Sequence, residues 1–289
     1  MIEKNKLNFV KLSDKFEINK GRIFINGSQA IARLAFIQKS LDSAAGLNTS
    51  GFISGYRGSP MGLIDATLWQ MQERLNDADI VFQPGVNEDL AATAIWGTQQ
   101  YNFFQKPLVD GVFSFWYGKG PGIDRSGDAL RHANLAGTHK NGGVLVFYGD
   151  DHPGKSSTVV CQSEPALAAI HIPSLYPSNV EEIIEFGVLG WALSRYCGLW
   201  IGIKCINETV EQTQTVDIDI ENFNINLPDR GASANIVNLT PGFTPPVGQD
   251  MILKRHRLPL VHKFVRANNI DKVKLNGKGG LGIVTSGKT

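Results

Sequence analysis

Short apolar runs that end in glycine-rich loops punctuate the chain, and helical spacing fills the intervals between them. The runs fall at residues 22–25, 51–54, 79–82, 111–117, 143–148 and 198–205. The apolar periodicity predicts helices over 29–45, 63–75, 87–100, 127–136, 164–170 and 179–196. Strands of this length, alternating with helices at this rhythm, specify an α/β fold: a three-layer, mostly parallel sheet with helices on both faces. Its crossover connections should be right-handed. In such a sheet every loop leaving a strand emerges at one edge, and open α/β sheets hold their ligands at that edge. The loops after the strands are therefore where chemistry is to be sought.

Composition narrows the class of function. The 289 residues carry a formal net charge of +1, so nothing favours nucleic acid or an anionic membrane surface. No apolar run approaches the length of a membrane span. The opening MIEKNKLNFVKLSDKF has no apolar core of a secretory signal, and a cytoplasmic setting is expected. The three cysteines, Cys161, Cys197 and Cys205, lack the spacing of a zinc or iron–sulfur site, so no metal ligand set is expected on this chain.

Four loops stand at strand ends. The first, Gly55-Tyr56-Arg57-Gly58-Ser59-Pro60, combines glycines that admit close approach with Arg57 and Ser59, which can hold a carboxylate. The second follows the Pro84-Gly85 turn, where Asn87 suits a helix cap and Glu88 the positive end of the helix dipole. Ala91, Ala92, Ala94 and Gly97 keep that helix thin, so a ring or another backbone can come near. The third, YGKGPGIDRSG, is a flexible connection or an anion nest built from Gly118 and Gly120, with Lys119 and Arg125 nearby. The fourth runs Gly149-Asp150-Asp151-His152-Pro153-Gly154-Lys155-Ser156 and matches a phosphate-binding loop letter for letter. Its chemistry opposes that reading: Pro153 removes an N–H group, the two aspartates repel phosphate, and no helix opens cleanly after Ser157. Asp150, Asp151 and His152 as metal ligands would need distant help to converge on one ion.

GYRGSP, NEDLAATAIWG and YGDDHPGKSS, occurring in this order, resemble the N-terminal part of the thiamine-diphosphate-dependent 2-oxoacid:ferredoxin oxidoreductases, and most of all their indolepyruvate-oxidising branch. The resemblance covers about residues 22–210 and continues more weakly beyond. Archaeal members commonly read GYPGTP in the first loop; here Arg57 replaces the proline, Ser59 replaces the threonine, and His152 is inserted before Pro153. The resemblance implies a pyrimidine-binding domain with Glu88 as the carboxylate that activates the cofactor. It implies cofactor contacts from Gly85, Asn87, Glu88, Gly118 and Gly120, and substrate contacts from Arg57, Ser59, Lys119 and His152. It further implies a 2-oxoacid substrate, coenzyme A as acyl acceptor, ferredoxin as electron acceptor, and a homo-oligomer.

The family's Mg²⁺–diphosphate anchor, a GDG motif with a downstream Asn, does not occur here; Gly127-Asp128-Ala129 comes nearest. Mg²⁺ and iron–sulfur clusters are thus expected on other domains, including a separate diphosphate-binding domain. The expected division is an extension at 1–21, the pyrimidine-binding domain at 22–215, an irregular linker with a basic helix at 216–278, and the start of a truncated further domain at 279–289. Two other classes remain open: a nucleotide-binding protein using the fourth loop, and a non-catalytic interaction module on the same fold.

Overall fold

Asn26 begins the helical part of the fold. Its side chain accepts the Gln29 N–H at 2.8 Å, and the Gln29 side chain accepts the Asn26 N–H at 3.3 Å. This reciprocal cap starts the first long helix two residues earlier than apolar spacing alone suggests. The computed structural model describes residues 11–100, 103, 106–152, 159–239, 244–274, 277 and 279–288. The first elements are α1 (Asp14–Glu17), β1 (Lys20–Asn26), α2 (Gly27–Ala44), β2 (Thr49–Gly55), α3 (Gly62–Gln70), α4 (Gln72–Asp77) and β3 (Ile80–Phe82). There follow α5 (Glu88–Gln100), β4 (Gly111–Lys119), α6 (Gly120–Arg125), α7 (Gly127–Ala136), β5 (Val144–Gly149) and α8 (Ser163–Ala169). The chain continues through β6 (Ser174–Leu175), α9 (Val180–Cys197), β7 (Ile201–Cys205), α10 (Asn207–Val210), β8 (Thr213–Asp219), α11 (Pro246–Ile252) and α12 (Leu258–Ala267).

Six strands form one parallel sheet in the order β3-β2-β4-β5-β7-β6, which is the expected three-layer α/β architecture. Alternation along β4 divides the core between the two faces. Phe113, Phe115 and Tyr117 join α2, α3, α4 and α9 on one face. Trp116 joins Ala91, Ala92 and Ile95 of α5 and Leu130 of α7 on the other. The first face is dominated by aromatic packing: Phe115 meets Phe147 edge-on at 5.2 Å, and Phe113 meets Trp191 at 5.5 Å.

The path around β2 positions the site. After β2 the chain turns onto the first face through α3 and α4 and returns as β3. It then crosses the second face through α5 to reach β4, on the other side of β2. After β4 it continues on the second face through α6 and α7. The connections leaving β2 and β4 therefore diverge to opposite faces, and a crevice opens between their C-terminal ends.

Both flanks differ from the sequence expectation. β1 and β8 pair antiparallel as a separate two-stranded ribbon, from Lys20 opposite Asp219 to Asn26 opposite Thr213. Residues 14–18 are not a weakly structured extension. The buried Arg33 guanidinium donates to the carbonyls of Lys15 and Ile18, and Arg74 pairs with Glu17 at 2.6 Å. Residues 246–267 form a nearly continuous helix that contains the expected basic helix and starts earlier, with one wide π turn at Leu253–Arg257, two residues before Pro259. Residues 281–285 (LGIVT), expected to start a strand, pair with no strand among the described residues, and Leu281, Ile283 and Val284 are exposed.

Candidate functional site

Asn87 caps α5, its side chain accepting the Leu90 N–H at 2.9 Å, and Glu88 is the first residue of the helix. Glu88 is buried, 7% exposed, although it stands at the rim of the sheet. Its backbone carbonyl accepts a 3.0 Å hydrogen bond from the Trp116 indole N–H of β4. Its carboxylate has no hydrogen-bond partner among the described residues. The side chain lies on the bare backbone of Gly122 in α6: a Cβ there would stand 2.6 Å from Glu88 Cγ and 3.0 Å from Oε1.

The four loops meet at this edge. The Gly85 N–H donates to the Gly55 carbonyl at 2.8 Å, and the Tyr56 N–H donates to the Tyr117 carbonyl at 3.0 Å. The Lys119 side chain runs across Gly58, where a Cβ would lie 2.8 Å from Lys119 Cδ. Gly149 sits under Pro60 and Met61, and Gly120 sits against Cys161 and the Asp150 carboxylate. Arg57 is exposed and Ser59 and Lys119 are half-buried; neither Arg57 nor Lys119 has an ion-pair partner among the described residues. Two uncompensated cations thus flank the crevice between β2 and β4. Below them the Tyr117 hydroxyl donates to the buried Asp65 carboxylate at 2.6 Å, and burial, with that bond, pushes its pKa upward.

Several residues expected to touch a ligand have other occupations. The Asn87 side chain is spent on the helix cap. A Cβ on Gly85 would strike the Asn87 carbonyl at 2.5 Å, and one on Gly118 would strike the Trp116 ring at 2.5 Å. These glycines are required by local packing, Gly85 against the start of α5 and Gly118 against the Trp116 ring of its own strand. The GKGPG stretch folds directly into α6. His152 is exposed.

The fourth loop is closed at its base by Asp150. Its carboxylate accepts the Ser163 N–H at 3.0 Å and the Ser163 hydroxyl at 2.6 Å, and Lys204 stands 3.5 Å away while also pairing with Glu164. Asp150 is thereby committed to the start of α8. Among the described residues no cluster of three His, Cys, Asp or Glu side chains can hold a metal ion. Gly154, Lys155 and Ser156 of the nucleotide-loop match lie outside the described residues. Residues 159–162 are not helical, and α8 opens at Ser163.

Trp116, Gly122 and Lys204 were not singled out from sequence. Lys204 carries a signal, as the one charge in an otherwise apolar strand; Trp116 carries none, because an aromatic β4 reads as core throughout. Two cavities of about 280 Å³ each lie elsewhere, at the opposite edge around Phe16, Phe36 and Ala78.

No family model matches the chain. Over 178 residues, 61% of its length, it is 26% identical to the indolepyruvate oxidoreductase subunit IorA of Methanothermobacter marburgensis. That match spans 25% of the archaeal protein, so the chain corresponds to about a quarter of this curated relative. Its fold superposes on 2-oxoglutarate:ferredoxin oxidoreductase from Magnetococcus marinus, a structure with 2-oxoglutarate, coenzyme A and succinyl-CoA bound. The TM-score is 0.61 at 15% identity, covering 86% of this chain and 46% of that one. The chain is thus similar in sequence to part of an indolepyruvate oxidoreductase subunit and in fold to part of a 2-oxoacid:ferredoxin oxidoreductase.

Proposed function

We propose that the chain is the pyrimidine-binding domain of a thiamine-diphosphate-dependent enzyme that oxidatively decarboxylates a 2-oxoacid. The substrate in this reading is an aryl pyruvate such as indolepyruvate, coenzyme A takes the acyl group, and ferredoxin takes the electrons. The observation that carries the reading is Glu88: a buried carboxylate, without a partner among the described residues, resting on a bare glycine where the sheet edge opens. When bound, the cofactor supplies a nucleophilic carbon at C2 of its thiazolium ring. Glu88 would hold and exchange a proton at N1′ of the aminopyrimidine, as a positioned acid–base group does. Arg57 and Lys119 suit the carboxylate of a 2-oxoacid, each lacking an ion-pair partner among the described residues. Ser59 and His152, on the same set of loops, complete the proposed substrate side.

Val81, Val86 and Leu90 are exposed beside Glu88, in keeping with a second surface that covers this rim. That surface would bring Mg²⁺, the diphosphate anchor and the iron–sulfur clusters. A cytoplasmic homo-oligomer is proposed with it; no helix among the described residues is long and apolar enough to cross a membrane.

The test is Glu88→Gln in the enzyme assembled with its diphosphate-binding domain. The substitution keeps size and shape but removes the exchangeable carboxyl proton. C2 proton exchange should slow by about a hundred- to ten-thousand-fold, with cofactor affinity changed far less. Exchange at the wild-type rate would leave Glu88 as a helix-start residue on an interaction module.

A further inference from the structure

The indole N–H of Trp116 reaches across from the central strand β4 to the first turn of α5 and donates to the carbonyl of Glu88 itself. Trp116 is fully buried. It is held from above by Gly118, whose backbone lies so close that a Cβ would stand 2.5 Å from the indole. It is held from the side by the second-face core, with Ala91, Ala92, Ile95 and Ile123 in the same cluster. Two other indoles, Trp96 and Trp200, also bury their N–H groups but have no hydrogen-bond partner. Trp116 is thus not merely one more core aromatic whose donor happened to find an acceptor. Its donor is aimed at the residue of α5 whose carboxylate is buried at the sheet edge without a partner among the described residues.

The geometry points to Trp116 as the positioning residue of Glu88, fixing the height of the first turn of α5 over Gly122 so that the carboxylate faces the crevice. It acts through the backbone, touching neither substrate nor cofactor. The catalytic meaning of this role rests on the thiamine reading above; the positioning itself does not. The physical cause is a balance at the helix start. A first helical turn is held by few intrahelical bonds and frays readily. Tying the carbonyl of its first residue to a rigid central strand removes that freedom. A misplacement of about 1 Å at a reacting group can cost on the order of a hundred-fold in rate.

The test replaces Trp116 by Phe, and by benzothienylalanine, which keeps the shape of the indole and puts sulfur in place of the N–H. The second variant guards against a failure of Trp116→Phe to fold. In the chain of residues 1–289, ¹³C relaxation at Glu88 Cγ should report a rigid side chain in the wild type and a clearly more mobile one in both variants. Circular dichroism should be unchanged. Unaltered Glu88 mobility in a folded isostere variant overturns the proposal. In the assembled enzyme, C2 proton exchange should fall by about ten-fold, the equivalent of roughly one lost hydrogen bond, and Glu88→Gln combined with the isostere should be no slower than Glu88→Gln alone. Should Glu88→Gln itself leave exchange untouched, the thiamine reading fails while the relaxation result still decides the positioning role.

Discussion

His139 shows how a single buried residue at the far end of the molecule sets a pH response. It is 6% exposed, and its Nδ1 accepts the Asn141 N–H at 3.3 Å, which requires that nitrogen to be unprotonated. Burial first, then the nearby Lys140 and Arg195 cations, hold its pKa below the ordinary 6.5. The unfolded chain therefore binds a proton that the folded one refuses, and stability is lost as pH falls below 6.5. Urea denaturation at several pH values between 7.5 and 5.5 should show this slope, and His139→Gln should flatten it. Glu88 at the opposite edge illustrates what sequence could and could not say about a residue. A helix-start glutamate after a strand was legible, because Asn87 and the Pro84-Gly85 turn announce the helix. That its carboxylate lies on Gly122 was not, because the contact joins two loops separated by more than thirty residues.

Among elements, the strand–helix rhythm was legible almost throughout, since the central strands β5 and β7 bury near-continuous apolar runs and the long helices bury apolar stripes. The spacing at 127–136 coincides with α7, and that at 179–196 with α9 to within one residue. There α9 is capped by Asn179, which accepts the Glu182 N–H at 3.0 Å, while the preceding Ser178 bonds the Glu182 carboxylate. β6 was missed: it is two residues long, and its place at the sheet edge is set by β7. The 251–268 helix was seen but its purpose was not. Arg257 is buried and donates to the carbonyls of Val237, Asn134, Leu135 and Ala136, so it caps the C-terminus of α7 with a fixed charge. Burial lowers its pKa to about 10, still far above neutrality. Gly137 leaves room for it, since a Cβ there would lie 2.4 Å from the guanidinium. Arg257→Met should fill the stem's volume yet leave these carbonyls unpaired, destabilising the fold by about 3 kcal/mol in chemical denaturation. A gain in stability would mean that the methionine side chain offsets the lost cap.

At the scale of the whole molecule, the parallel order β3-β2-β4-β5-β7-β6 gathers four loops at one rim. Thiamine diphosphate should accordingly bind the isolated chain weakly or not at all, even with Mg²⁺, because the anchor for its diphosphate is expected on another domain. Isothermal calorimetry checks this, and tight Mg²⁺-dependent binding would contradict it. The Arg257 cap has a further consequence for anyone cutting this protein into pieces. The composition shift after Thr215 invites an expression boundary there, yet the plug for α7 is donated from forty residues downstream, and β8, the partner of β1, ends only at Asp219. A gene trimmed at Thr215 would encode every strand of the six-stranded sheet and still omit the stopper of one of its covering helices. A piece that keeps this stopper, and the packing of Phe264 on Tyr196, runs through α12.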